Sequence, residues 1–479
     1  MQPVFRFLMI AGATAAVVVM PFCASRATAQ VDLQGSWRTR LESWDWFEAP
    51  GHDHRYTYGH SLLRLSASGQ NRKGQWVAEV AQPMFVDLPR NAVAPPPAGQ
   101  LGFGGTLRAV NGSAEADLFL KQLSYEWAVP GGRLKAGRFE FADGQEVTVQ
   151  DPGLKWLHQA RINERLIGPF GFSPVQRSFD GVRLRIGTPQ RNTVLFAAYP
   201  TAGAFERDGN RALTRVHVAY LAHSRAAETE TSGRDRRAFV MWYRDARTAA
   251  PKADNRPATA RQADREAIRL VTLGGHWAQV WKQPSGRTDV LLWGAVQSGD
   301  WGSLDHSGYA LAAEAGRQFS TPWKPWVRAG YYRGSGDRDP GDGKHTTFMP
   351  ATFTPRPYAL TPFYNTMNLD DRFVQVLLTP GPKWSVRADY HRLRLDRSQD
   401  LWYAGGGPFD NKSFGIAGRP SGGKRTLASV VDVTLNHRVS DRLQLSLYRS
   451  LISGGDVVGA VYPAGKNGGL FFVESGYRF

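Results

Sequence analysis

The sequence predicts an all-β fold: a transmembrane antiparallel β-barrel of eighteen strands that follows a cleaved signal peptide. Three observations predict it. Segments in which apolar and polar residues alternate recur to the C-terminus, their connections alternate between short turns and long loops, and the chain opens with an apolar leader. Alternation with period two indicates half-buried strands. An even number of strands with alternating short and long connections is typical of outer-membrane barrels.

The first element, residues 1–29, is typical of a secretory signal peptide. Arg6 lies in a short basic region, Phe7 to Val19 are mainly apolar, and Ala27-Thr28-Ala29 offers a small-x-small cleavage site. We therefore expect a signal peptide at 1–29 and a barrel at 30–479. The only cysteine, Cys23, lies in the leader, so the mature chain would have no disulfide, thiolate ligand or thiol nucleophile.

Eighteen segments with strand character follow the leader in order. They lie at 36–46, 55–69, 74–83, 118–129, 132–141, 177–188, 192–201, 210–224, 235–246, 267–282, 286–298, 306–320, 324–334, 369–379, 383–397, 424–438, 441–452 and 467–479. In 182–186, for example, three aliphatic residues take one face while Arg183 and Arg185 take the other. After the leader there is no run of 18 apolar residues, which excludes a protein that spans the membrane with helices.

The connections distinguish a membrane barrel from a soluble β protein. The short turns are Pro130-Gly131, Pro189-Gln190-Arg191, Pro284-Ser285, Thr321-Pro322-Trp323, Pro380-Gly381-Pro382 and Val439-Ser440. The long polar loops are 84–117, 142–176, 247–266, 335–368, 398–423 and 453–466. A β-propeller would repeat every ~40–50 residues, and the sequence has no such repeat. We therefore expect the short turns in the periplasm and the long loops outside the cell.

The last segment has the face of a terminal barrel strand. Phe471, Val473, Ser475, Tyr477 and Phe479 lie on one side, and the chain ends on an aromatic residue. This pattern resembles the assembly signal of bacterial outer-membrane barrels. It predicts insertion by the barrel assembly machinery and contact with outer-membrane lipid.

The charge of the chain favours an anionic partner. Lys and Arg number 59 against 42 Asp and Glu, a formal charge of +17. Without the two arginines of the leader, Arg6 and Arg26, the mature chain carries +15. Such a field attracts polyanions. Export removes the chain from the compartment that holds nucleic acid, so we expect an acidic polymer or smaller anions and no nucleic acid.

Arginines in the middle of strands are the predicted pore-lining residues. Opposite the lipid-facing residues of a barrel strand, side chains face the lumen, and rings of arginine select anions. A guanidinium stays charged and binds a carboxylate with two hydrogen bonds. The predicted pore-lining or anion-binding residues are Arg38, Arg40, Arg64, Arg138, Arg183, Arg185, Arg215, His217, Arg328, Arg387, Asp389, His391 and Arg438. Glu126 and Asp432 are predicted lumen acids that hold the arginines in place.

The motifs of common enzymes are missing from the sequence. It contains no Gly-x-Ser-x-Gly elbow, no His-Glu-x-x-His and no Walker loop, so we predict no enzyme and no cofactor. Asp337, Asp339 and Asp342 in a Gly-rich loop are a weak candidate for a metal site. Gly341 stands where the third ligand of an EF-hand should be, which favours a structural turn.

The segment 325–348 resembles the alginate export family of outer-membrane porins. The resemblance depends mainly on a strand that ends in Ser335-Gly336-Asp337 and on a loop that continues to Thr347-Phe348-Met349-Pro350, with support from 137–140, 385–391 and the terminal strand. It implies a monomeric, eighteen-stranded barrel in the outer membrane of a Gram-negative cell. It also implies an arginine-lined constriction that passes a uronic-acid polymer outward.

Three functions remain open at this point. Passive export of an anionic polysaccharide such as alginate is the favoured one. The alternative is a general anion-selective diffusion porin or an uptake channel for small acidic solutes. An outer-membrane barrel enzyme would need a nucleophile, which neither His345 nor Asp342 has beside it in the sequence. The polymer, the direction of transport and any periplasmic secretion partners are not determined by the sequence.

Overall fold

Eighteen antiparallel strands close into one barrel in the computed structural model, which describes residues 31–93, 102–352, 358–404, 409–413 and 415–479. The predicted signal peptide lies outside the described residues. The predicted strand number is confirmed.

The bounds of the elements follow the chain. The barrel strands are β1 (Val31–Asp45), β2 (Arg55–Asn71), β3 (Gly74–Val86), β4 (Phe119–Val129), β5 (Gly132–Phe139), β6 (Phe179–Gly187), β7 (Arg191–Pro200), β8 (Val216–Glu228), β9 (Ser232–Asp245), β10 (Ile268–Gln283), β11 (Gly286–Trp301), β12 (Leu304–Phe319), β13 (Trp326–Gly334), β15 (Leu369–Gly381), β16 (Trp384–Leu395), β19 (Thr426–Arg438), β20 (Leu443–Gly454) and β21 (Asn467–Arg478). Two-residue strands in the loops are β14 (Lys344–His345), β17 (Trp402–Tyr403) and β18 (Gly418–Arg419). Helices span Gly102–Asn111, Pro152–Leu157, Ala258–Ala263 and Asp456–Val461, and a π-helix spans His158–Ile162. None of the described helices is long and apolar enough to cross a membrane.

The first and last strands close the barrel. β1 pairs with β21 along most of its length, with Ser36 opposite Arg478 and Asp45 opposite Gly469. At the very end of the chain, the Gly35 amide donates to the Phe479 carbonyl at 2.7 Å and the Phe479 amide donates back at 2.9 Å. Closure leaves no unpaired strand edge, which a membrane does not tolerate.

Side chains alternate between an apolar outer face and an inner face that is buried in the barrel. On the outer face, Val182, Leu292 and Val296 are 46%, 47% and 56% exposed. Their neighbours along the strand point inward because successive strand residues point to opposite sides. The exposed aliphatic belt is the surface that meets lipid in such barrels.

Connections of two kinds lie at opposite ends of the barrel, as predicted. Eight short turns lie at the end of the barrel where β1 begins and β21 ends, and longer loops lie at the other end. One connection at the loop end breaks the rhythm, because β11 and β12 are joined by the two residues 302–303 alone.

Two of the predicted outer loops fold into the lumen instead. The segment 140–178, between β5 and β6, buries Leu154, Leu157 and Ile162 completely. In the described parts of the segment 335–368, between β13 and β15, Phe363 is completely buried and Phe348 is 1% exposed. The prediction that these segments are polar external loops is wrong, because their apolar side chains are removed from water against the barrel wall.

The segment 140–178 reaches the opposite end of the barrel before it returns. The Thr148 amide donates to the Pro189 carbonyl at 2.8 Å, and the Gln150 amide donates to Glu228 Oε1 at 2.7 Å. Pro189 and Glu228 lie at or next to short turns, so the chain has traversed the lumen. The chain then returns to β6 through the helix Pro152–Leu157 and the π-helix His158–Ile162. We call 140–178 the inserted segment.

The orientation of the barrel predicts which end can be labelled from outside a cell. Thr259 is exposed in the loop between β9 and β10, and Ser285 is exposed in the short turn between β10 and β11. On intact cells, an impermeant maleimide should label Thr259→Cys and should leave Ser285→Cys unlabelled until the outer membrane is permeabilised. The unaltered chain is the control. Labelling of Ser285→Cys alone would reverse the orientation.

Candidate functional site: an arginine-rich lumen

A cavity of about 490 Å³ lies in the lumen between the inserted segment and the strands from β12 to β1. Its charged lining consists of Arg40, Arg387, Lys324 and Glu474. Lys324 belongs to the short turn between β12 and β13, so the cavity reaches that end of the barrel. Three cations and one carboxylate face the cavity itself, and the further carboxylates Glu42 and Asp389 lie behind Arg40 and Arg387. Aromatic rings complete the lining: Trp156, Phe172, Trp326 and Phe472.

Arg40 is held rigidly on the inner face of β1. Its guanidinium lies 2.5 Å from Glu474 and 3.0 Å from Glu42. The same guanidinium lies 3.9 Å from the centre of the Phe172 ring and 4.6 Å from that of Phe472. Carboxylates and ring faces both stabilise a cation, so this side chain is fixed in place beside the cavity.

Arg387 of β16 faces the same cavity as Arg40. Its Nε donates to Asp389 at 2.5 Å, and its Nη2 donates to the carbonyl of Tyr358 in the segment 335–368. Arg387 thus links the barrel wall to the segment 335–368, whose described parts fold into the lumen.

Buried charges hold the inserted segment to the wall. Arg161 of the π-helix lies 3.1 Å from Glu314, and Arg165 lies 3.6 Å from the same carboxylate. Arg328 approaches Glu314 at 2.9 Å and Asp289 at 2.9 Å. Burial lowers the pKa of Arg161 to about 10, against the opposing effect of Glu314, and this still leaves the guanidinium charged at neutral pH. The predicted pore residue Arg328 is therefore part of an internal charge cluster, only 1% exposed.

Sequence reasoning missed Arg161 and Arg165. Both lie in the segment 142–176, which the alternation of short and long connections predicts as an external loop. A signal was present in the sequence, because Leu154 and Leu157 are three positions apart and Arg161 follows four positions later, which is helical spacing.

Arg38 and Arg64 lie on the inner face and bind the last part of the inserted segment. Arg38 donates to the carbonyls of Gly171 at 2.5 Å and Ser173 at 2.6 Å. Arg64 donates to Gln176 Oε1 at 3.0 Å, and it also binds Glu140 at the start of the segment at 3.1 Å and Glu79 of β3 at 2.6 Å. Their hydrogen bonds are directed mainly at the protein itself.

The structure also places Arg183, Arg185 and Glu126 on the inner face. Arg183 binds Glu126 at 2.5 Å, and Arg185 donates to the Glu146 carbonyl of the inserted segment at 2.9 Å. Arg438 has the inward phase but lies exposed at the short-turn rim, where it donates to the Pro382 carbonyl at 3.3 Å.

Arg138 does not line the pore. It lies opposite Leu123, which is 55% exposed on the outer face. There its guanidinium binds both oxygens of Asp180 at 2.6 Å. The lumen placement of Arg138 is wrong because Phe139 takes the inward position at this end of β5.

Arg215 and His217 are not pore-lining either. Arg215 is exposed in the turn before β8, and the His217 ring packs on Tyr199 on the outer face, 4.8 Å between centroids. The apolar face of β8, with Val216 and Val218, points inward against the inserted loops. The predicted strand is present, but the prediction that its polar face lines the lumen is wrong. The lumen is filled with apolar side chains at this point, so the apolar face of β8 points inward.

The remaining predicted residues are buried in the wall or lie in turns. Asp389, His391 and Asp432 are inward and 3%, 0% and 2% exposed. Asp339 and Asp342 accept backbone amides two residues on, those of Gly341 and Lys344, both at 2.9 Å. The Asp337–Asp342 loop is thus built as a turn, and within the described part of the chain the residues with metal-ligand spacing lie elsewhere.

A closed eighteen-stranded barrel with a charged lumen crossed by folded segments defines the protein as an outer-membrane channel. The family model for alginate export matches residues 128–467. The chain therefore belongs to the alginate export family, whose place is the outer membrane.

Solved structures of outer-membrane proteins share the fold. OpdK from Pseudomonas aeruginosa is 9% identical, with a TM-score of 0.56 over 94% of this chain and 99% of that one, and it is also known with vanillate. OccK9 (OpdG) from the same organism is 11% identical, with a TM-score of 0.58 over 94% and 98%. OccAB4 from Acinetobacter baumannii is 9% identical, with a TM-score of 0.54 over 94% and 98%. No curated protein matches the sequence significantly.

Proposed function

We propose that this channel passes an anionic polysaccharide, such as alginate, out of the cell by passive diffusion through its lumen. The observation that carries the proposal is the cavity whose wall bears Arg40, Arg387 and Lys324 against the single carboxylate of Glu474. Membership of the alginate export family supports the same substrate class.

The chemistry of the cavity suits a uronic-acid polymer. Each sugar of such a polymer carries one carboxylate, which a guanidinium binds with two hydrogen bonds. The apolar faces of the sugars can pack on the aromatic rings of Trp156 and Phe472. The carboxylates that hold Arg40 and Arg387 compete with the polymer, which keeps each contact weak enough for the chain to slide.

A second function has one observation in its favour. The inserted segment crosses the lumen and the described parts of 335–368 fold into it, and a narrowed lumen suits small acidic solutes better than a polymer. OpdK, which shares the fold, is known with the small aromatic acid vanillate. Uptake or general diffusion of small anions is therefore the alternative, and the effect of chain length on transport separates the two.

Other properties are inferred from the same family and fold. We infer that the protein is a channel and not an enzyme, that it works as a monomer, and that Tyr477 and Phe479 guide its assembly by the barrel machinery into outer-membrane lipid.

Single-channel recording tests the proposal. At ~10 mM salt, oligouronates added on the short-turn side should block the wild-type channel, and neutral oligosaccharides of the same length should not. One unit charge at ~10 Å contributes about 0.4 kcal/mol in water, which screening over a Debye length of ~30 Å lowers to about 0.3 kcal/mol, so three charges contribute about 0.9 kcal/mol. The variant Arg40→Gln/Lys324→Gln/Arg387→Gln should therefore lose anion preference about fourfold and bind oligouronates correspondingly more weakly.

A matched variant controls for net charge. Arg215→Gln/Arg225→Gln/Arg244→Gln removes three exposed arginines outside the lumen and should behave like the wild type. Because Arg40 and Arg387 have buried partners, the exposed Lys324→Gln alone provides a folded test with about one third of the effect. Equal block by uronates and neutral sugars, or equal effects of the two triple variants, would contradict the proposal.

A further inference from the structure

Three buried side chains of the barrel wall converge on one point. Asp389 lies opposite Asp432 in the β16–β19 pairing, and His391 follows two residues later on the same face. One nitrogen or oxygen atom from each lies within 4.8 Å of the others. Nothing in the transport function described above requires this convergence.

The histidine is arranged as a ligand. Its Nδ1 lies 3.0 Å from Asp371 Oδ2, and because carboxylate oxygens only accept, Nδ1 carries the proton. Its Nε2 therefore presents a lone pair, and it faces Asp432 Oδ2 at 4.0 Å. Among the described residues neither of these two buried atoms has a hydrogen-bond partner. Metal-bound histidines show this arrangement, with the second ring nitrogen held by a carboxylate.

The charge of the group is not balanced by protein. Asp371, Asp389 and Asp432 carry three negative charges, and Arg387 supplies one positive charge through Asp389. With all three carboxylates ionised and His391 neutral, a formal charge of −2 lies on side chains that are almost completely buried, which is costly without a counter-charge. The next cation, Arg161, lies against Glu314, which it shares with Arg165 and Arg328.

A proton alone would be a poor solution. A proton on His391 Nε2 would have no acceptor on Asp432, because the 4.0 Å separation is too long for a hydrogen bond. A divalent ion supplies both missing charges. Two ligand atoms at about 2.1 Å from a tetrahedral ion lie about 3.4 Å apart, so the 4.0 Å separation needs a closure of about 0.6 Å and the 4.8 Å limit needs one of about 1.4 Å.

We propose that Asp389, His391 and Asp432 bind a divalent metal ion of the zinc type. Mixed imidazole and carboxylate donors suit zinc better than calcium or magnesium. The ion joins β16 to β19 and, through Asp371 and His391, to β15. The site lies beside Arg387 in the wall of the cavity and does not depend on the proposed substrate.

The test uses the full chain without a histidine tag, folded in detergent and stripped with a chelator. Zn²⁺ titrated by calorimetry should bind at one ion per chain, and Co²⁺ in its place should give the visible absorption of mixed nitrogen and oxygen ligands. His391→Gln should weaken binding at least about 100-fold. His52→Gln/His54→Gln, which removes the histidines of an outer loop, is the matched control and should bind as the wild type does.

The wild-type measurements decide the matter even where His391→Gln fails to fold. Absence of stoichiometric Zn²⁺ binding and of a Co²⁺ spectrum would overturn the site. Loss of binding in His52→Gln/His54→Gln with binding retained in His391→Gln would also overturn it, by assigning the ion to the loop.

Discussion

Removal of the inserted segment should raise the single-channel conductance at least about twofold. An eighteen-stranded barrel encloses an aqueous channel when nothing fills it, and this segment runs through the lumen and back. Its two stems are adjacent, because the Glu164 amide donates to the Asp143 carbonyl at 3.0 Å. A short Gly/Ser link can therefore replace 145–162 without moving either stem.

The matched control replaces the outer helix Ala258–Ala263, which buries no residue, by the same link. It should leave the conductance unchanged. Heat-modifiable migration on a gel checks that both barrels are closed. A folded variant lacking 145–162 with wild-type conductance would show that this segment does not limit the pore.

Loss of the Glu314 charge should be the most destabilising single change in the lumen. Glu314 is buried and receives Arg161, Arg165 and Arg328. Glu314→Gln leaves those buried guanidinium groups with too few counter-charges, and breaking a buried ion pair costs about 3–5 kcal/mol. Unfolding in urea, followed in liposomes, should show a loss of this size in the free energy of unfolding.

Two comparisons make that prediction specific. Arg161→Met should cost less, because Glu314 keeps Arg328 at 2.9 Å. Glu230→Gln, at an exposed residue of a short turn, should change stability by no more than about 0.5 kcal/mol. A Glu314→Gln variant as stable as Glu230→Gln would show that the cluster does not stabilise the barrel.

The sequence predicts the barrel well because the pattern that identifies a barrel strand is local. Alternation along a strand and the short turns depend on neighbouring residues, so all eighteen strands could be located. The rule gives two faces but not which of them meets lipid. It succeeded for Arg183 and Arg328, whose strands have an aliphatic outer face. It failed for His217, where apolar residues pack inward on the loops.

The contents of the lumen could not be predicted in the same way. Arg161 reaches Glu314 across 153 positions of the chain, and no local pattern encodes such a contact. The inserted segment is polar on average, which conceals the few apolar residues that anchor it. The convergence of His391 with Asp432 likewise depends on the register between two strands, which the sequence alone does not fix.

Passage of an acidic polymer through the lumen can be tested by single-channel recording, from the voltage dependence of the block by oligouronates. A polymer that passes through is driven out on the far side at high voltage, whereas a dead-end blocker is held ever more firmly. If the polymer passes through the lumen, the residence time of an oligouronate should rise with voltage and then fall. A residence time that rises throughout, at every chain length, would contradict passage and favour a channel for small anions.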